Sequence, residues 1–142
     1  IEGMNSPAGV PVSAVTRAFS TLSDEITVLN FTDQQLEKAN TGLNLWTRYN
    51  IPANTYPGQS KEINTIAQPN FLAVRDDIAE EDVYLLTKTI YENLPFLNNI
   101  HKATKAMSLQ KAINGLPVPL HPGAARYYSE QGIEIPSHLI VE

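Results

Sequence analysis

Not one cysteine occurs in the 142 residues. Disulfides, thiolate metal sites and cysteine nucleophiles are therefore excluded together, while cytoplasm and periplasm both stay open. Charge is scarce as well: Asp, Glu, Lys and Arg make up 18% of the chain, against a usual share of about 25%. What charge there is leans acidic, −5 net with a pI of about 5.1. Nucleic-acid binding normally shows a basic patch, so no nucleic-acid partner is expected. No apolar run reaches the roughly 18–20 residues of a membrane span. The Gly-rich phosphate signatures G-x-G-x-x-G and G-K-[ST] are missing, and no serine sits in a G-x-S-x-G elbow. The three histidines, His101, His121 and His138, are too far apart in the chain to form the closely spaced pairs of helix-borne metal sites. No metal, cofactor or catalytic constellation is expected.

What is present is apolar material, 42% of the residues, enough for the core of one domain of ordinary size. The chain opens on Ile1 without a charged-then-apolar leader and reads as a processed or excised piece of something longer. IEGMNSPAGVP reads as a strand end passing into a loop. From Pro11, Val12, Val15, Phe19 and Leu22 recur at spacings of three and four, which predicts a helix with one apolar stripe. Proline suits its start, where the missing N–H has no partner in any case. Ile26–Phe31 reads as a buried strand. Thr32-Asp33-Gln34-Gln35 spells a capping box, opening a helix whose inner face is Leu36, Ala39 and Leu43. Loop, helix, strand, helix points to α/β layering rather than an all-α bundle.

Further on, Leu45–Ile51 alternates loosely, and INTIA (63–67) and NFLAVR (70–75) are short β-prone runs. A long amphipathic helix is predicted from near Ala79, with Val83, Leu86, Ile90 and Leu94 as its buried face. Glu80, Glu81 and Asp82 crowd its first turn, where the helix dipole favours negative charge; that cluster reads as helix-start chemistry, not as a metal site. Pro95 should kink or end the helix, and a second helical stretch should run through Ile100 and His101. Ser108 is expected to cap a short helix stopped by Gly115. His121-Pro122-Gly123 opens a last helix ending at Gly132, with His121 in a capping role. The tail IEIPSHLIVE is weakly β-prone. Asn30-Phe31-Thr32 spells a glycosylation sequon, read as accidental at a strand end.

Two loops could meet a ligand. Asn5, Ser6 and Pro7, within NSPAG, lead into a helix N-terminus, whose free N–H groups suit an anion such as a carboxylate. Tyr56 and Gln59, within YPGQ, offer a phenol and an amide in a tight Pro-Gly turn. Tyr56 is either packed down as an anchor or held up towards a ligand, and the residues alone leave both open.

Three stretches, IPANTYPGQ (51–59), IAQPNFLAVRDDIAEEDVYLLTKTIYENL (66–94) and GLPVPLHPGAARYYSEQGI (115–133), resemble, in the right order, the C-terminal part of TAXI-type solute receptors. These are the extracytoplasmic binding proteins of TRAP transporters, also called immunogenic proteins. The resemblance implies an α/β fold: a type II periplasmic-binding-protein-like lobe in three αβα layers, incomplete without the N-terminal half. It implies that residues 1–60 form part of lobe two with cleft-side loops. Residues 61–142 would be the crossover segment and C-terminal helices packing back towards lobe one. The implied function is periplasmic receipt of a small organic acid or amino acid, such as glutamate or 2-oxoglutarate. Delivery to the TRAP membrane subunits would follow, with Asn5, Ser6, Pro7, Tyr56 and Gln59 at the ligand.

Asn5-Ser6-Pro7 matches only in part the Gly-Tyr-Pro-Asn-like loop of relatives. Neither loop holds an arginine, so a carboxylate would rest on amides, hydroxyls and the helix end instead of a bidentate guanidinium. A receptor needs reversible closure and no catalysis. The alternative is an excised lobe acting as an interaction or antigenic domain without ligand affinity. In either case an uncovered lobe interface would favour a dimer of the fragment.

Overall fold

Thr32 shows how local chemistry builds the first part of the chain. Its hydroxyl accepts from the Gln35 amide at 3.2 Å, and its own N–H donates to the Gln35 side-chain oxygen at 2.8 Å, the reciprocal box that the sequence predicts. The computed structural model in which this is seen describes residues 13–22, 26–42 and 44–141. It divides into two units between Asn70 and Phe71.

The first unit holds helices α1 (Ser13–Leu22) and α2 (Asp33–Asn40) and strands β1 (Thr47–Ile51) and β2 (Ile63–Ala67). The strands pair antiparallel, Thr47 opposite Ala67 and Ile51 opposite Ile63. Phe19 of α1 packs with Ile51, Tyr56 and Ile63 into a buried cluster, flanked by Val15, Ile26, Val28 and Tyr49. Arg48 donates to the Phe31 carbonyl at 2.6 Å and pairs with Asp33 at 2.6 Å, tying the start of α2 to β1.

Two expectations need correction here. Ile26–Phe31 forms no strand, and Leu29 is 69% exposed. The Phe31 N–H donates to Asn64 O, yet the Asn64 N–H is taken by the Asn30 side chain at 2.9 Å. A side-chain amide fills the place of a main-chain carbonyl, so no ladder propagates along β2. Asn30 of the sequon is thereby engaged at the strand edge. On α2, Leu36 is half-buried and Ala39 is exposed, so its inner face is narrower than predicted; Leu43 lies outside the described residues.

The second unit is helical: α3 (Glu80–Glu92), α4 (Leu94–Ile100) and α5 (Pro122–Glu130), with 3₁₀ turns at Lys102–Ala106, Leu109–Lys111 and Ser137–Leu139. Pro95 falls in the first turn of α4, and Asn93 both ends α3 and begins α4, so the proline break is where the sequence put it. α3 packs against α5. Val83 and Thr87 are buried, whereas Leu86 is exposed. The buried arc thus turns from the predicted Leu86 towards Tyr84 and Tyr91, which join Tyr127 and Tyr128 of α5 in ring-to-ring contact at 5.7–6.2 Å.

Gly123 sits where α3 and α5 cross. A Cβ there would lie 2.2 Å from the Glu80 carbonyl oxygen and 2.7 Å from the Tyr84 nitrogen. His121 caps α5 as expected, its Nδ1 accepting from the Gly123 N–H at 3.2 Å. With Nδ1 accepting, Nε2 carries the proton and donates to the Ile78 carbonyl at 3.1 Å. Arg126 bridges Glu80 and Glu81, each at 2.7 Å, and lies over the Tyr84 ring at 4.0 Å.

The run 70–75 forms no strand and is exposed throughout. Ser108 begins its 3₁₀ turn without a side-chain cap bond. The tail makes a 3₁₀ turn instead of a strand, docking through Leu120 N–H to Leu139 O at 2.8 Å. Helices with one small sheet give the mixed α/β character that was expected; the sheet among the described residues is two strands wide.

Candidate functional site

Of the residues singled out from the sequence, Asn5, Ser6 and Pro7 lie outside the described residues. Tyr56 and Gln59 stand together in the connection between β1 and β2, in the first unit. Pro57 and Gly58 turn the chain there, with Gly58 at φ +78, a conformation that glycine adopts without steric cost.

Tyr56 is 5% exposed. Its ring stacks on Phe19 with centroids 5.1 Å apart and planes within 6°, a geometry worth on the order of 1 kcal/mol beyond the area buried. Tyr49 is the third ring nearby: burial, and then the neighbouring Tyr56 phenol, push its own phenol above the ordinary value. Of the two readings left open by the sequence, the ring's placement fits the anchor.

Gln59 is 7% exposed, and its side chain organises the loop. Nε2 donates to the carbonyls of Pro52 at 2.9 Å and Lys61 at 2.8 Å, and Oε1 accepts from the Tyr56 N–H at 3.1 Å. Main-chain bonds from Asn54 N–H to Gln59 O at 2.8 Å and from Gln59 N–H to Tyr56 O at 3.2 Å close the same ring of contacts. Thr55 adds its hydroxyl to Pro52 O at 2.7 Å. A buried carboxamide with both hydrogens and its oxygen engaged is fully at home. Around it, Pro52, Ala53, Asn54, Pro57, Gly58 and Ser60 remain exposed, so the loop turns the Gln59 carboxamide inwards and presents a rim of short side chains.

Phe19 and Tyr49 were not singled out as partners of Tyr56. Phe19 was visible as a stripe residue of α1, but nothing local in the sequence says which ring it meets. Thr16 on the same helix was missed too: its hydroxyl is the buried side-chain polar atom left without a hydrogen-bond partner among the described residues. No cluster of His, Asp and Glu among the described residues is placed to hold a metal ion, and no helix among them is long and apolar enough to cross a membrane.

The family model described as the NMT1-like family matches residues 1–132 of this chain.

Proposed function

The chain belongs to the NMT1-like family, which includes periplasmic substrate-binding proteins, and we propose that it is a lobe of an extracytoplasmic solute receptor of the TAXI type, serving a TRAP transporter. Solute binding is the family's theme, and its members generally bind solutes rather than transform them. The match along residues 1–132 is the observation that carries the reading. The finer assignment rests on the resemblance of the IPANTYPGQ and LPVPLHPGAARYY stretches. On this reading the two units contribute to a layered αβα receptor whose other lobe lies outside these residues.

The solute proposed is a small organic acid or amino acid, glutamate or 2-oxoglutarate in kind, taken up in the periplasm and handed to the TRAP membrane subunits. Asn5, Ser6 and Pro7 would meet it at a helix N-terminus, where free N–H groups favour an anion. The loop of Tyr56 and Gln59 would form a second edge. Isothermal titration of L-glutamate and 2-oxoglutarate into the full-length receptor tests this. Saturable binding that Asn5→Ala weakens about tenfold, the equivalent of one charge-assisted hydrogen bond, is the expected result. Binding that ignores Asn5→Ala would remove that loop from the site.

A further inference from the structure

Residues 52–62 join two strands whose ends, Ile51 and Ile63, are already paired. Roughly 2–5 residues suffice for a hairpin connection, so this one is far longer than the join requires. It also closes on its own side chains, Tyr56 and Gln59, which are both buried. Long connections with near ends, packed by their own side chains, are the Ω-loops that frequently serve function. Here one carboxamide holds Pro52, Tyr56 and Lys61 at once, and the exposed rim runs over Asn54, at φ +62, and the Pro57-Gly58 turn.

We propose that Gln59 is a positioning residue for solute binding: it touches no solute and keeps the rim around Asn54 and Pro57-Gly58 in the shape that receives one. This rests on the receptor reading above. A loop ordered before binding does not have to be ordered by the solute, which raises affinity without adding a contact. Gln59→Leu removes all three side-chain bonds and leaves the Tyr56 N–H and the Pro52 and Lys61 carbonyls without them. Gln59→Glu keeps an acceptor for Tyr56 N–H and loses both donors.

The test is titration of L-glutamate and of 2-oxoglutarate into the full-length receptor, its Gln59→Leu form and its Gln59→Glu form, at a temperature where circular dichroism shows each fully folded. Amide hydrogen exchange at Asn54 and Tyr56 is followed in the same samples. Positioning predicts affinity lower by about tenfold or more, by a similar factor for both solutes, with faster exchange at the two amides. A Gln59→Leu receptor that melts earlier but binds within about twofold of the original shows a merely structural role and overturns the inference alone. Loss confined to one solute shows direct contact and overturns it too. An unaltered receptor that binds neither solute overturns the receptor reading and this inference together.

Discussion

Gly123 marks a close approach of α5 to α3 in the second unit. The atoms that its missing side chain would strike belong to the backbone of α3, so nothing flexible can move aside. Gly123→Ala should therefore cost about 1–3 kcal/mol as overpacking, read as a lower denaturant midpoint with unchanged slope. Tyr56 makes the opposite point: Tyr56→Ala empties the space beside Phe19 and should cost about 3–5 kcal/mol by the same measurement. Thr16→Val replaces a buried, unpartnered hydroxyl with a methyl of like shape and should stabilise the chain by about 1 kcal/mol. The sequence announced His121-Pro122-Gly123 as a helix start, and the capping histidine follows from local chemistry. Why the third residue must be glycine lies upstream on α3 at Glu80, beyond any local pattern.

At the scale of elements, what was legible was whatever neighbouring residues decide among themselves. The capping box of α2 is such a case, and Thr32→Ala should cost about 1 kcal/mol, seen as fraying of residues 33–36 by hydrogen exchange before the rest of the unit opens. INTIA became β2 as read, whereas Ile26–Phe31 and 70–75 have comparable β-propensity and form no strand. Propensity for strand is chiefly fitness for a pleated, partnered surface, and only the pair β1–β2 has that partner among the described residues. The face of α3 was misread for a related reason. Val83, Tyr84, Leu85, Leu86, Ile90 and Tyr91 spread apolar groups widely around the helix, and periodicity then fixes the pitch without fixing the phase. The rings on α5 chose Tyr84 and Tyr91 over Leu86.

At the scale of the whole molecule, the buried tyrosines contribute to the response to alkali. Burial, helped by neighbouring Tyr91 and Tyr127, pushes the Tyr128 phenol far above its ordinary 10.0, and burial raises Tyr127 in the same direction. The unfolded chain releases these protons first, so it binds fewer of them than the folded chain once the pH passes 10.0. Stability is thus fully present below that value and falls as pH rises through the raised phenol values. Denaturant midpoints measured from about pH 9 to 11 should decline, and Tyr128→Phe should flatten the decline.

In the Tyr56 loop, the sequence marked Tyr56 and Gln59 but not their inward turn. A phenol beside Pro-Gly reads the same whether it faces a solute or Phe19, because the deciding partner comes from a separate helix. Kinship with a solute-binding family was legible because the resemblance runs along most of the chain, in stretches that no single contact determines.

The most direct measurement is a thermal-shift screen of small carboxylates and amino acids on residues 1–142 and on the full-length receptor side by side. A solute at 100 times its dissociation constant adds about 2.7 kcal/mol to the state that binds it. The receptor reading predicts a clear rise in Tm for the full-length protein with a glutamate-like acid, and little or none for residues 1–142, which on that reading would supply one wall of the cleft. A flat response in both, with folding confirmed by circular dichroism, would contradict it. So would micromolar binding by residues 1–142 alone.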